Sequence, residues 1–243
     1  MAGIGREFME MTKYRNMGDA PQRLGEVQPP LEAPVDAEER IPLPDPSALG
    51  YGKAPLLNTI EQRRSLRSYG ETPLTLGELS YLLWCCQGVQ KQGEKHTYRA
   101  VPSAGARHAF ETHVLVNRVE GLETGLYRYM ALSGTLAPVN LNEGIAESLT
   151  SACLGQGMVA GSAVTVYWAA EAERMVYRYG ERGYRYLHLD AGHSCQNLYL
   201  AAESIGCGAC GIAAFDDDQL NAVLGLDGVK QFAVYACTVG KRK

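Results

Sequence analysis

Residues 189–218 read LDAGHSCQNLYLAAESIGCGACGIAAFDDD, and their punctuation sets the architecture of the chain. In the helix predicted from Tyr186, residues Leu187, Ala191, Ser194, Leu198, Ala201 and Ile205 recur at helical spacing along one face. Gly206 ends that helix, since glycine accepts the backbone turn that closes one. The small-residue run GACGIAA at 208–214 then suits a buried strand, Asp216 opens a short helix to about Leu224, and FAVYACTVG at 232–240 forms a closing strand.

Upstream of that block the pattern is similar. LNTIEQRRSLR (57–67) predicts a helix, and Thr75-Leu76-Gly77-Glu78 is a capping-box pattern opening LGELSYLLWCCQGV, with Leu79, Leu82, Leu83 and Cys86 at core spacing. ETHVLVNRV, GLYRYMA, TLAPVN and AVTVYWAA predict strands, and NEGIAESLTSACL a helix between the last two. Helices and strands interleave without a regular βαβ period. The expected class is therefore α+β, with a largely antiparallel sheet.

Eight of the eleven prolines lie before residue 56, where PPLEAP and IPLPDP interrupt any helical or strand period. The expected division is a Pro-rich N-terminal extension at 1–55 and a globular domain at 56–243. Phe8, Met9, Met11, Tyr14 and Leu43 favour an extension that wraps over a neighbour instead of a solvated tail.

With 243 residues, 46% hydrophobic and 21% charged, the chain can bury a full core, and its net charge of −4 gives no field that would gather nucleic acid. No stretch approaches the ~20 apolar residues of a membrane helix, and no secretory block opens the chain, so a cytoplasmic protein with no membrane partner is expected. Seven unevenly spaced cysteines suggest reduced thiols.

Several constellations could carry chemistry. EQRRSLRSYG (61–70) sets Arg63, Arg64 and Arg67 around Ser65, and on a helix those three side chains span an arc of about 100°. They form either a hydrated surface, with Glu61 pairing Arg64, or an anion site in which guanidinium forks and a hydroxyl grip phosphate oxygens. VPSAGARHAF (101–110) supplies a small-residue turn that leaves room for a flat ligand, and GCGACGIAAF (206–215) a strand whose main chain could approach a ring.

Other patterns favour the plainer reading. Cys207 and Cys210 form a C-x-x-C without a second pair or a ligand-spaced His pair, so they are read as small buried thiols and no metal is expected. His188, Asp190 and His193 do not converge on a helix and are read as core and interface residues. Residues 171–190 carry four acids and four arginines, read as a salt-bridged face, although the repeated Tyr-Arg-Tyr first suggests base stacking.

Taken in order, RRSLR, PLTLGELSYLLWCCQGV, VPSAGARHAFETHVLV, GLYRY, the 189–218 block and YACTVGKRK make the chain resemble the nitroreductase-like flavin oxidoreductase family, and within it the SagB/ThcOx-type branch. The resemblance covers roughly 56–243. It implies a three-layer α-β-α sandwich, an intertwined homodimer, and an FMN site at the subunit interface.

By the same resemblance Arg63, Arg64 and Ser65 match phosphate- and ribityl-contacting positions, and Lys241 and Arg242 complete phosphate binding. Arg67 matches the cation beside the pyrimidine end of the flavin. Pro102, Ser103, Ala104 and Gly105 would lie along the ring from the partner subunit, with Gly211, Ile212, Ala213 and Ala214 on the strand whose main-chain N–H groups at Ala213 and Ala214 face flavin N5. Arg67, Ala213 and Ala214 are the catalytic expectation, and Gly208 and Gly211 would keep that strand close.

Two departures stand out. Ala106 occupies the place of an Asn in the nitroreductase pattern, with Arg107 or His108 as replacements. The Lys-Tyr pair of azoline-oxidising members occurs here only as Lys13-Tyr14, in the extension. The implied activity is electron transfer from NAD(P)H through FMN to a small acceptor such as a nitroaromatic or quinone by a ping-pong cycle. The alternatives are a SagB-type dehydrogenase of a peptide or small metabolite, a non-catalytic flavin-binding module, and a thiol-redox protein built on Cys207 and Cys210. Gln87–Thr97 is expected to contribute to a lid.

Overall fold

The computed structural model describes residues 3–37 and 39–243. In chain order the elements are α1 (Ile4–Met11), β1 (Ile41–Pro42), α2 (Leu56–Gln62), α3 (Leu76–Gln87), β2 (Val89–Gln92) and β3 (Thr97–Arg99). They continue with β4 (Phe110–Val116), β5 (Gly125–Met130), β6 (Thr135–Asn140), α4 (Ile145–Ala152), α5 (Met158–Gly161) and β7 (Val164–Glu171). The chain then runs through α6 (Ala172–Tyr179), α7 (Gly183–Ser204), β8 (Cys207–Ile212), α8 (Asp217–Leu224) and β9 (Gln231–Lys241).

Seven strands form one sheet in the order β1-β6-β5-β4-β7-β9-β8, and every paired neighbour is antiparallel. β4 and β7 occupy the centre and are buried along almost their whole length. Strand alternation sends Val114, Val116, Val166 and Trp168 to one face, packed on α3 and α7 through Leu79, Leu82, Leu187 and Leu198. Leu115, Tyr167 and Ala236 point to the other face, against Leu149 of α4 and Leu220 and Leu224 of α8. Helix, sheet and helix thus form three layers. Each large side chain so buried contributes roughly 1.5–3 kcal/mol of transfer free energy.

Local chemistry sets the element ends. Thr75 Oγ1 accepts the Glu78 amide at 3.1 Å while Glu78 Oε2 accepts the Thr75 amide at 2.9 Å, so the expected capping box starts α3. Asp216 accepts the Gln219 amide and starts α8, and Gly225 ends it with a left-handed φ of 73°.

One helix expectation fails. The predicted helix through Arg67 stops at Gln62, and Arg63 already has extended geometry, with ψ 124°. Downstream, Ser65 bridges Ala209 in parallel register and Leu66 donates its amide to Ala209 O at 2.9 Å. That long-range contact with β8 outweighs local helix propensity, so the arginines follow an extended segment beside the sheet edge and do not share a helical arc.

The N-terminal residues run over their own chain. Ile41 pairs with Leu136, Ala33 donates its amide to Glu111, and Arg128 and Arg174 donate to the carbonyls of Ala33, Pro34 and Pro30. Nearer the start, Arg182 and Arg185 of the α6–α7 region donate to Thr12. Residues 89–99 form the small β2–β3 hairpin. Among the described residues no helix is long and apolar enough to cross a membrane, and all seven cysteines are free thiols.

Candidate functional site

The extended segment after α2 places two expected residues around one phenol. Ser65 Oγ lies 3.2 Å from the hydroxyl of Tyr199 on α7, and the Arg63 guanidinium stands 5.3 Å from the centre of its ring. The same hydroxyl accepts the Gly211 amide of β8 at 2.6 Å. Tyr199 therefore joins the arginine segment, the long helix and the small-residue strand.

The arginines divide their work. Arg64 turns back and donates to the carbonyls of Glu61 and Arg63, both at 2.8 Å, closing the C-terminus of α2 instead of pairing with the Glu61 carboxylate. Arg67 is exposed and makes no ion pair among the described residues. Of the three arginines, Arg63 and Arg67 thus keep their charge unpaired among the described residues. Lys241 is held by Glu78 and Arg242 by Glu203, so each would have to exchange its carboxylate to reach a phosphate.

Past the end of β8, Ala213 and Ala214 are exposed, and neither amide has an acceptor among the described residues. Two adjacent free N–H groups are a donor pair for a ligand. The glycines nearby serve protein packing: a Cβ on Gly208 would fall 2.4 Å from Leu66, and one on Gly211 2.4 Å from the Tyr235 hydroxyl. They let the arginine segment and the Tyr235 side chain of β9 close on β8, and Ile212 is buried.

The turn at 102–105 lies elsewhere. Ala104 donates its amide to Asp190 of α7 at 3.2 Å, and Ser103 Oγ accepts the His108 amide at 2.9 Å. Gly105, Ala106 and His108 all have positive φ, of 56°, 53° and 44°, a strained run for the two non-glycine residues. Burial, reinforced by the Arg99 charge, pushes the His108 imidazole down to about 3, so it is neutral.

Asp190 and Tyr199 are nine residues apart on α7, which places them about 13 Å apart along the axis and on opposite sides of the helix. The 102–105 turn and the Tyr199 cluster therefore do not converge within one chain.

A model of the nitroreductase family matches residues 60–241. The chain belongs to the nitroreductase family. Among its relatives is the protein provisionally named nitroreductase MJ1384 of Methanocaldococcus jannaschii, 35% identical over 77% of this chain and 91% of that protein. The trifolitoxin-processing protein TfxB of Rhizobium leguminosarum bv. trifolii is 29% identical over 61% of this chain, which spans only 41% of TfxB. A Desulfovibrio desulfuricans protein provisionally named a nitroreductase and solved in complex with FMN shares the fold, with a TM-score of 0.56 and 19% identity over 79% of this chain and 88% of that one.

Within this nitroreductase-family chain, Tyr199 was not among the expected site residues. Its only sequence signal is a tyrosine beside Leu198 on the border of the apolar face. The acids and arginines of 171–190 also behave differently from the expected salt-bridged face. Arg174 pairs with buried Glu111, Glu173 with Lys230, Arg182 and Arg185 hold the extension, and Arg178 makes no ion pair among the described residues. Burial of Glu111 draws Arg174 inward and breaks the surface pattern. Cys207 and Cys210 are buried, with burial pushing the Cys207 thiol up to about 11. Asp190 holds the turn, while His188 and His193 remain exposed.

Proposed function

We propose that this chain is an FMN-dependent oxidoreductase that takes electrons from NAD(P)H and delivers them to a small acceptor such as a nitroaromatic or quinone. The observation that carries this reading is the cradle at the β8 edge. Tyr199 ties Arg63 and Ser65 to Gly211 of β8, the strand that leads into the free amides of Ala213 and Ala214, and Arg67 follows two residues after Ser65 as an exposed cation.

The donor set suits FMN. It offers guanidinium forks and a hydroxyl for a phosphate and polyol, main-chain N–H groups for a ring nitrogen, and a cation for the ring edge that gains negative charge on reduction. Bound FMN supplies a two-electron carrier between hydride donor and acceptor. Arg63 and Ser65 would hold the phosphate end, Arg67 would supply a positive charge for the pyrimidine edge, and Ala213 and Ala214 would orient the ring by backbone donation. No dedicated side-chain acid is required.

The complete site belongs to a homodimer. The turn at 102–105 and the Tyr199 cradle lie on opposite sides of α7, so a ligand touching both must lie between two copies. Exposed Leu189, Gly192, His193 and Gln196 on α7, and exposed Leu56, Leu57 and Ile60 on α2, supply surfaces for the second copy.

The likeness to TfxB favours a second reading, dehydrogenation of a peptide or small metabolite in the manner of the SagB-type branch. One experiment separates the two. The visible spectrum of the purified protein is recorded, and NADH and NADPH are then mixed with it anaerobically. Bleaching of the flavin band followed by reoxidation with a nitroaromatic or quinone supports the first reading. A yellow protein inert to both nicotinamides supports the second, and a protein that holds no flavin defeats both.

A further inference from the structure

Two guanidinium groups behind the 102–105 turn have no part in the proposed cofactor site. Arg107 Nε donates to Gly105 O at 3.1 Å, and a Cβ on Gly105 would fall 2.5 Å from Arg178 Nε and 2.6 Å from the Tyr179 hydroxyl. Arg107 and Arg178 therefore crowd round one residue. Neither forms an ion pair among the described residues.

Three acids on the surrounding elements are already engaged, while Glu181, three residues after Arg178, is exposed and makes no ion pair among the described residues. Asp190 accepts the Ala104 amide, Glu111 is shared by Arg128 and Arg174, and Glu173 meets Lys230. Burial lowers the Arg107 pKa, and the adjacent Arg178 charge lowers it further. Like charges held together in a half-buried place are an unfavourable arrangement that an anion would relieve.

Arg178 and Tyr179 also line a pocket of about 380 Å³, whose other wall is the extension, including Tyr14, Met17 and Arg23. That wall is fastened. Gln22 donates its amide to Tyr177 O at 2.8 Å, the Tyr14 and Tyr186 hydroxyls lie 2.7 Å apart, and the Arg182 guanidinium sits 4.1 Å over the Tyr14 ring. The volume is in the range of small-ligand sites, about 300–1,000 Å³.

We propose that this pocket is an anion subsite, in which Arg178, supported by the charge of Arg107, receives the carboxylate or phosphate of the molecule that reacts over the turn. The inference rests on the flavin reading for what happens at the turn, and it gives residues 14–23 a role as the outer wall of a substrate site. Arg178 suits the task because its planar fork pairs two oxygens at once, and the phenol of Tyr179 adds a hydroxyl donor.

The test compares matched substrates in the wild type, Arg178→Met and Arg178→Lys. One arm takes the ratio of kcat/KM for 4-nitrobenzoate to that for 4-nitrobenzyl alcohol, and the other the ratio for NADPH to NADH. In Arg178→Met at least one ratio falls roughly tenfold or more, through KM, with partial recovery in Arg178→Lys. A fall in the first ratio identifies the acceptor's carboxylate, and a fall in the second the hydride donor's extra phosphate.

Calorimetric titration with 4-nitrobenzoate and with NADPH reads the subsite independently of turnover, and the visible spectrum reports FMN in each variant. A colourless wild type would defeat the flavin reading while leaving these titrations interpretable. Equal affinities for both probes in wild type and Arg178→Met, with both ratios unchanged, would overturn the subsite.

Discussion

The Tyr199 hydroxyl accepts the Gly211 amide at 2.6 Å, tying the long helix α7 to the strand that leads into the free amides of Ala213 and Ala214. Tyr199→Phe keeps the ring under Arg63 but leaves the Gly211 N–H without its acceptor. Stability should fall by about 1–3 kcal/mol, read by denaturant unfolding, and FMN affinity should weaken with it. Equal stability and affinity in the variant would show that the bond positions nothing.

Arg67 is exposed and makes no ion pair among the described residues, so its charge is available to a ligand edge. Arg67→Met should retain FMN and shift the midpoint potential downward by tens of millivolts, because a charge-assisted bond is worth about 1.5–3 kcal/mol and ~1.4 kcal/mol corresponds to about 30 mV for two electrons. Spectroelectrochemistry reads this directly. An unmoved potential in a fully loaded variant removes Arg67 from the role.

Glu111 lies buried between Arg128 and Arg174 and accepts the Ala33 amide at 2.7 Å. Glu111→Gln leaves two buried cations short of their counter-charge and should cost about 3–5 kcal/mol, with faster proteolysis around residues 30–43. Burial pushes the Glu111 carboxyl up, but the two guanidinium groups outweigh it and hold the pKa below the ordinary carboxylate value. Its contribution is present above the ordinary carboxylate range and is lost only as pH falls through the lower folded value. Glu111→Gln should remove that very acidic part of the stability profile.

Two imidazoles give a second pH dependence. Burial, helped by Arg99, pushes His108 down to about 3, and burial, helped by Arg128, pushes His113 down to about 4. Both are neutral in the folded chain and titrate near the ordinary value when unfolded. Their contribution is complete above about pH 6.5 and declines as pH falls toward the folded values, by about 1.4 kcal/mol per pH unit for each group. Unfolding free energy measured between pH 7 and 5 checks this, and a flat profile would contradict it.

What the sequence made legible was largely local. The Thr75–Glu78 capping box, the apolar face of α7 and the strand at 207–212 all follow from residues near one another in the chain. The arginine helix fails because the Ala209 carbonyl, some 140 residues away, takes the Leu66 amide and draws the segment out straight. Tyr199 stays hidden because its importance depends on Ser65 and Gly211, which reach it only through the fold. The acid–arginine pattern of 171–190 misleads for a similar reason, since Arg174 finds Glu111 from a distant strand.

In the proposed assembly, two copies of this chain hold FMN between the Arg63–Ser65–Tyr199 cradle of one and the 102–105 turn of the other. The most direct measurement is titration of the purified protein with FMN, followed by flavin fluorescence and by sedimentation of the saturated sample. The expected result is quenched flavin at one FMN per chain, a particle of two chains, and affinity weakened at least about tenfold in Arg63→Ala. A protein that leaves added FMN free in solution, or that sediments as single chains at saturation, would contradict it.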